Sequence, residues 1–241
     1  MEKMKSIPLL FFFFVLTLAL PATAEDLTLE QAKTKFTTAD KALNQVYARA
    51  KTTLAEGDFT DLQQDQREWI AYRDYRSEQV AAFDGGAQEG REKLNVEYWS
   101  SLAALTEERV TMIEGWMKSG SFAKEWEGIW IDGNGGSLAI LENEEGKFVF
   151  TLDVVRGPTY HVGHLGGSAE WLGSTARFTI DAVDGEAATW LTFVKRGIKL
   201  EVIGENTSPY HGARAYFDGH YVRIAELTDD DRKAILPPAE E

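Results

Sequence analysis

The sequence predicts an α+β fold with two domains: an N-terminal antiparallel three-helix bundle, then an antiparallel β domain that is either barrel-like or a sandwich. In residues 25–120 the apolar side chains recur three and four positions apart, which is the period of an amphipathic helix. In residues 121–241 turn signals such as Asn-Gly and Asp-Gly follow one another about every seven to fifteen residues, as in antiparallel β domains. The segment 118–121, Lys-Ser-Gly-Ser, is the predicted linker.

Residues 1–24 have the composition of a secretory signal peptide. Two lysines precede the apolar stretch 7–20, and residues 22–24, Ala-Thr-Ala, are the small residues that a signal peptidase accepts. The stretch is about fourteen residues long, shorter than the roughly 20 that a transmembrane helix needs. We therefore predict cleavage after Ala24, a periplasmic or secreted protein, and no stable membrane anchor after cleavage.

Local signals divide the first domain into three helices. Residues 28–31, Thr-Leu-Glu-Gln, match a capping box, in which the Thr28 and Gln31 side chains bond to backbone amides of the first turn. The expected helices cover residues 28–54, 60–83 and 92–117, separated by breaks at 56–58 (Glu-Gly-Asp) and 84–86 (Asp-Gly-Gly).

The β domain is expected to contain about eight short strands in roughly 100 residues. That many strands form either a small barrel or a sandwich, because both arrangements bury one face and limit exposed edges. The glycine-rich segment 132–136 is interpreted as a tight hairpin, since no Gly-Lys-Ser/Thr follows it as in a phosphate loop. The clearest predicted strands are 147–154, 176–180, 190–194 and 198–203, and residues 228–236 are expected to form a short C-terminal helix.

Composition excludes several classes of function. The chain has 241 residues, 25 basic and 39 acidic side chains, a formal charge of −14 and no cysteine. A thiolate metal site, a cysteine nucleophile and a disulfide framework are therefore excluded. The negative charge argues against a surface that binds nucleic acid, because phosphates are neutralised by Lys and Arg.

The remaining residues offer no convincing catalytic centre. His161 and His164 are three apart, which would place them on opposite faces of a strand. The segment 121–124, Ser-Phe-Ala-Lys, matches the S-x-x-K motif of penicillin-interacting enzymes, but it lies at the linker without the companion motifs. We therefore predict no catalytic residues, no metal, no cofactor and no enzymatic activity.

The second helix contains the one set of side chains that suggests binding. Trp69, Tyr72 and Arg73 fall within about one turn and so share one side of the helix. One interpretation is a buried scaffold, with Trp69 and Ile70 in the core and Arg73 paired to an acid such as Asp40 or Glu108. The other is an exposed contact, since these residue types are enriched at protein interfaces. The three residues are the predicted binding site.

At this helix the sequence resembles a known family. The patterns D-x-x-L-N-x-x-Y at 40–47, Q-x-x-W-x-x-Y-R-D at 66–74 and T-x-x-R at 106–109 are similar to the LprI-type lysozyme-inhibitor-like domain, a helical module of bacterial envelope proteins. The resemblance covers residues 28–117. Ser77 stands where such domains commonly carry a cysteine. The second half looks like the barrel-like domain often appended to this module.

The resemblance implies a non-catalytic periplasmic or secreted protein that inhibits lysozyme by direct binding. The acidic charge is compatible with this, because an acidic protein is steered electrostatically toward a cationic partner. The alternative is an envelope ligand- or glycan-binding protein that uses the β domain, and it requires a ligand-sized cavity with a few polar groups.

Overall fold

The computed structural model describes residues 27–143, 146–157, 159–182 and 187–235, and the predicted signal peptide lies outside them. The predicted α+β arrangement is confirmed, and the β region is a closed barrel rather than a sandwich. The helices are α1 (Leu29–Thr53), α2 (Glu56–Phe83), α3 (Val96–Lys118) and α4 (Asp229–Ile235), with 3-10 turns at Glu92–Leu94 and Ser208–Tyr210. The strands are β1 (Gly128–Ile131), β2 (Gly136–Glu142), β3 (Lys147–Arg156), β4 (His161–Leu172), β5 (Thr175–Ile180), β6 (Thr189–Arg196), β7 (Lys199–Glu205) and β8 (Gly219–Ala225).

Side-chain caps set two of the helix starts. The predicted capping box is present: Thr28 Oγ1 accepts from the Gln31 amide at 3.3 Å, and Gln31 Oε1 accepts from the Thr28 amide at 2.8 Å. α3 begins after Asn95, whose Oδ1 accepts from the Glu97 amide at 2.7 Å. It therefore starts later than expected, with a 3-10 turn before it.

The predicted break at 56–58 is wrong. The chain turns at Leu54 and Ala55, which have extended backbones, and α2 begins at Glu56. Gly57 is tolerated because it lies in the first turn, where backbone amides make no intrahelical hydrogen bond. The acidic side chains of that turn, Glu56 and Asp58, also favour the positive end of the helix dipole.

The three long helices alternate in direction. Phe36 meets Trp99 near the starts of α1 and α3, and Arg49 pairs with Glu114 near their ends, so these two helices run parallel. α2 runs antiparallel to both of them and packs against α3.

The eight strands form an up-and-down antiparallel barrel, in which β8 pairs with β1 to close the sheet. Alternate side chains of β3 point inward, with Phe148, Phe150, Leu152 and Val154 almost fully buried. Closure removes the unpaired edges that an open sheet would expose. An eight-stranded barrel is just wide enough for side chains to fill its interior.

The bundle and the barrel share an apolar contact between α3 and the outer face of β8 and β1. Trp116 and Ile113 pack here with Val222 and Ile131. Gly115 permits the close approach, because a Cβ at this position would lie 2.4 Å from the carbonyl oxygen of Arg223. The predicted boundary between domains at residue 120 stays a prediction, and the two parts pack closely on each other.

Candidate functional site

One end of the barrel faces α2 and α3, and the β1–β2 hairpin lies at this junction. Asp132 Oδ1 accepts hydrogen bonds from the amides of Asn134 (2.9 Å) and Gly136 (2.7 Å). Gly133 and Gly135 have φ values of 70° and 87°, a backbone conformation that favours glycine. The glycine-rich segment is therefore the tight hairpin that the sequence predicts.

A buried ion pair closes this end of the barrel. Asp132 Oδ2 lies 2.6 Å from Arg156 Nη1, and the side chains are 3% and 2% exposed. Arg156 also donates to the carbonyl oxygens of Asn134 at 2.8 Å and Tyr216 at 3.1 Å. Burial acts against the charged form of Arg156, but the Asp132 carboxylate outweighs it, so the pKa of Arg156 is raised. The pair and its hydrogen bonds fix the hairpin and the chain before β8 to each other.

Glu108 of α3 lies close to this ion pair. Burial raises the pKa of its carboxyl to about 7, the Asp132 carboxylate adds to the increase, and Arg156 and Arg109 oppose it. Inside the barrel, burial likewise raises the pKa of Tyr221, which donates its hydroxyl proton to the Phe217 carbonyl at 3.0 Å. The junction thus contains a carboxyl group that titrates near neutral pH.

The structure brings the predicted binding residues together beside this junction. Trp69 is only 5% exposed, and its ring lies 5.2 Å from the Arg73 guanidinium and 5.3 Å from the Arg109 guanidinium. The Tyr72 hydroxyl donates to the Asn134 carbonyl of the hairpin at 3.4 Å. This placement favours the scaffold interpretation, and a contact role for Trp69, Tyr72 and Arg73 stays a prediction.

Two details of the scaffold interpretation are wrong. Arg73 pairs with Asp74, its neighbour in sequence, at 2.8 Å rather than with a more distant acid. Ile70 is 40% exposed and does not join the core. Trp69, rather than Ile70, occupies the inner side of α2, and its ring lies near the guanidinium groups of Arg73 and Arg109.

Four exposed aromatic side chains lie on α2 and on two loops at this end of the barrel, and sequence reasoning missed them. The exposed fractions are 56% for Tyr75, 60% for Phe83, 48% for Tyr160 and 45% for Tyr216. Among the described residues, no other Phe, Tyr or Trp side chain is as exposed as these. Tyr75 and Phe83 lie on the stripe of α2 that includes Tyr72. Tyr160 follows β3, and Tyr216 precedes β8. We call these four residues the aromatic rim.

The barrel half of the aromatic rim is held by polar contacts. The Tyr160 hydroxyl donates to Asp84 Oδ2 at 2.6 Å, which connects the β3–β4 turn to the end of α2. The Tyr216 ring lies 4.5 Å from the Arg156 guanidinium. No local sequence pattern indicated this surface, because its members come from two helical and two loop positions that only the tertiary fold brings together.

The other predicted chemistry finds no site in the described residues. His164 bonds to Asp153 at 2.7 Å and His161 to Thr159 at 2.8 Å, each as an isolated pair. No group of three or more side chains suited to a metal ion occurs in the part of the chain that the structure describes. Among the same residues, no helix is both long and apolar enough to cross a bilayer.

The interior of the barrel is filled by its own side chains. Phe148, Phe150 and Phe193 contact one another edge to face, with ring centroids 5.0–6.2 Å apart, and each is at most 1% exposed. Trp126 and Trp171 continue this cluster toward the far end of the barrel. A filled core argues against the ligand-binding alternative, which requires a cavity there.

The fold and the junction define a helical module docked on a filled antiparallel barrel, with an aromatic rim and buried arginines beside it. The N-terminal part of the chain, residues 21–112, matches the family described as Lysozyme inhibitor LprI. The match confirms the resemblance predicted from the helical motifs and ends before the barrel begins. No curated protein and no solved structure matches the chain significantly.

Proposed function

We propose that this protein is a non-catalytic, extracytoplasmic module that inhibits a lysozyme-type muramidase by binding it directly. The match of residues 21–112 to the lysozyme inhibitor LprI family is the observation that carries this proposal. The formal charge of −14 supports it, because it would accelerate encounter with a cationic enzyme and make binding weaken as salt rises.

The aromatic rim is the surface that we propose for the contact. Aromatic residues and arginine are enriched among the residues that dominate binding energy at protein interfaces. The rim lies on the matched helical region and on the barrel end that faces it. Two exposed carboxylates, Glu78 of α2 and Asp84 directly after it, lie beside the rim and would complement a cationic partner.

The proposal is tested by the rate at which a cationic lysozyme clears a suspension of cell walls at low salt. The purified secreted protein should slow clearing, and the inhibition should decrease as salt is added. Unchanged clearing with several lysozyme types, together with no complex by calorimetry, would refute the proposal.

Two substitutions test the surface. Tyr75→Ala and Tyr216→Ala should each weaken binding by about tenfold or more if they act as interface anchors. Leu172→Ala is the matched control, since Leu172 is 55% exposed at the opposite end of β4 from the rim. Equal affinities for all three variants would place the contact elsewhere on the protein.

A further inference from the structure

One buried guanidinium beside the aromatic rim has a nitrogen without a hydrogen-bond partner among the described residues. Arg76 of α2 is 8% exposed, and its Nη1 atom has no hydrogen-bond acceptor among the described residues. The neighbouring arginines Arg73, Arg109 and Arg156 each have a carboxylate oxygen at 2.6–2.8 Å. Arg76 forms no such ion pair in the described part of the chain. A buried N–H group without an acceptor is costly, so an acceptor from outside would be bound favourably at Nη1.

Arg76 lines a cleft between α2, α3 and the turn before β4. The cleft has a volume of about 320 Å³, and Ser100, Ser101, Glu97 and Tyr160 are among its other lining residues. This volume is at the lower end of the range for small-molecule sites. Its size therefore suits a ligand no larger than a monosaccharide or a capped amino acid.

Tyr160 forms the outer wall of this cleft in a constrained conformation. Its ring centroid lies 5.0 Å from the Arg76 guanidinium carbon, and its hydroxyl is fixed on Asp84. Its φ of 52° is in the left-handed region, which bulky residues rarely adopt. Such a conformation persists only where the surroundings enforce it, and here the hydrogen bond to Asp84 helps to hold it.

We propose that this cleft binds a small monocarboxylate, with Arg76 as its charged anchor. A guanidinium presents two parallel N–H groups that match the two oxygens of a carboxylate. The serine hydroxyls of the cleft can donate further hydrogen bonds to the same group. Because Glu97 lines the cleft and Asp84 holds its wall, a phosphate dianion would be repelled more strongly there than a monocarboxylate. The cleft shares Tyr160 with the aromatic rim, but carboxylate binding is measured without lysozyme, so each proposal can fail without the other.

Calorimetric titration of the purified secreted protein with two pairs of compounds tests the proposal. N-acetylmuramic acid differs from N-acetylglucosamine by a lactyl carboxylate, and N-acetylalanine differs from its primary amide by one charge. The first pair represents an acidic sugar and the second a peptide terminus. At least one acid should bind about tenfold or more tightly than its neutral counterpart, because a charge-assisted bond is lost in the latter. Equal binding within both pairs, no binding by either acid, or equally tight binding of inorganic phosphate would overturn the proposal.

Substitutions then assign the binding to Arg76. Arg76→Gln should abolish the preference for the acid, whereas Arg67→Gln, at an exposed arginine of the same helix, should leave it unchanged. Glu97→Gln should tighten binding several-fold, because it removes a like charge from the cleft. If Arg76→Gln does not fold, two measurements still test the proposal. They are the titration of the unaltered protein with the acid and neutral compounds, and the affinity of Glu97→Gln for the acids. Unchanged affinity in Glu97→Gln together with a preserved preference in Arg76→Gln would contradict the assignment.

Discussion

Glu108→Gln should stabilise the protein above neutral pH and leave its stability nearly unchanged in mild acid. The Glu108 carboxyl has a pKa of about 7 in the folded protein, against 4.5 as its ordinary value, because α3 buries it close to Asp132. The folded state therefore holds this proton more tightly than the unfolded state does. Below pH 4.5 the group is protonated in both states and no stability is lost.

The magnitude follows from the difference between the two pKa values. As pH rises from 4.5 to about 7, the unfolded chain releases the proton first, and the free energy of unfolding falls by about 1.4 kcal/mol per pH unit. The total loss is about 3 kcal/mol above pH 7. Glutamine resembles the protonated carboxyl and does not titrate. The variant should therefore exceed the natural protein by up to about 3 kcal/mol at pH 8 and by almost nothing at pH 4.5.

Urea denaturation followed by tryptophan fluorescence at both pH values measures this difference. Comparing the variant with the natural protein at each pH cancels the titrating groups that do not interact with Glu108, including His164, whose pKa the Asp153 carboxylate raises. Glu107→Gln is the matched control, because Glu107 is the preceding residue and is half exposed, 3.7 Å from Lys35. It should change stability by less than about 0.5 kcal/mol at either pH. The reasoning would be refuted if Glu108→Gln were no more stable than the natural protein at pH 8, or if its gain in the free energy of unfolding were the same at both pH values.

Three further substitutions test the packing of the fold. Asp132→Asn should lower the free energy of unfolding by about 3 kcal/mol, since it leaves Arg156 buried without a counter-charge; a urea midpoint equal to that of the natural protein would contradict this. The pair Ser77→Cys and Ser101→Cys should form a disulfide, because the two hydroxyl oxygens lie 3.2 Å apart, and closing a loop of about 25 residues should add about 3 kcal/mol. Free thiols that persist under oxidising conditions would show that the geometry is unsuitable. Thr28→Ala should cost about 1 kcal/mol and lower the melting temperature, whereas a serine there should preserve the cap.

Ser77 lies at the contact between α2 and α3. The family resemblance implies a cysteine at this position, and here the serine is fully buried and contacts Ser101 across α2 and α3. The contact is where a covalent link between these helices would fit. In its absence the two helices are held by packing and by ion pairs such as Arg109 to Asp65 at 2.7 Å.

Local patterns were sufficient to predict most elements of secondary structure. The capping box at Thr28 and the strand expected at 147–154 are both present, because they depend on residues adjacent in the chain. The predicted helix break at 56–58 was wrong, because Gly57 lies in the first turn of α2, where a glycine does not stop a helix. The predicted partner of Arg73 was also wrong, because several acidic residues are compatible with the sequence and the structure pairs this arginine with Asp74.

The sequence by itself determined the α+β class, the order of helices and strands, and the family resemblance of the N-terminal region. Periodicity, turn residues and caps act over a few residues, so they can be read along the chain. Tertiary structure alone decided that the β region closes as a filled barrel, because β1 and β8 pair across roughly 90 residues without any local signal. It also decided that Trp69 is buried, that four distant aromatic residues form one rim, and that Arg76 alone among its neighbouring arginines lacks a carboxylate. Burial and charge pairing depend on which side chains meet in space, and that is fixed only when the bundle docks on the barrel.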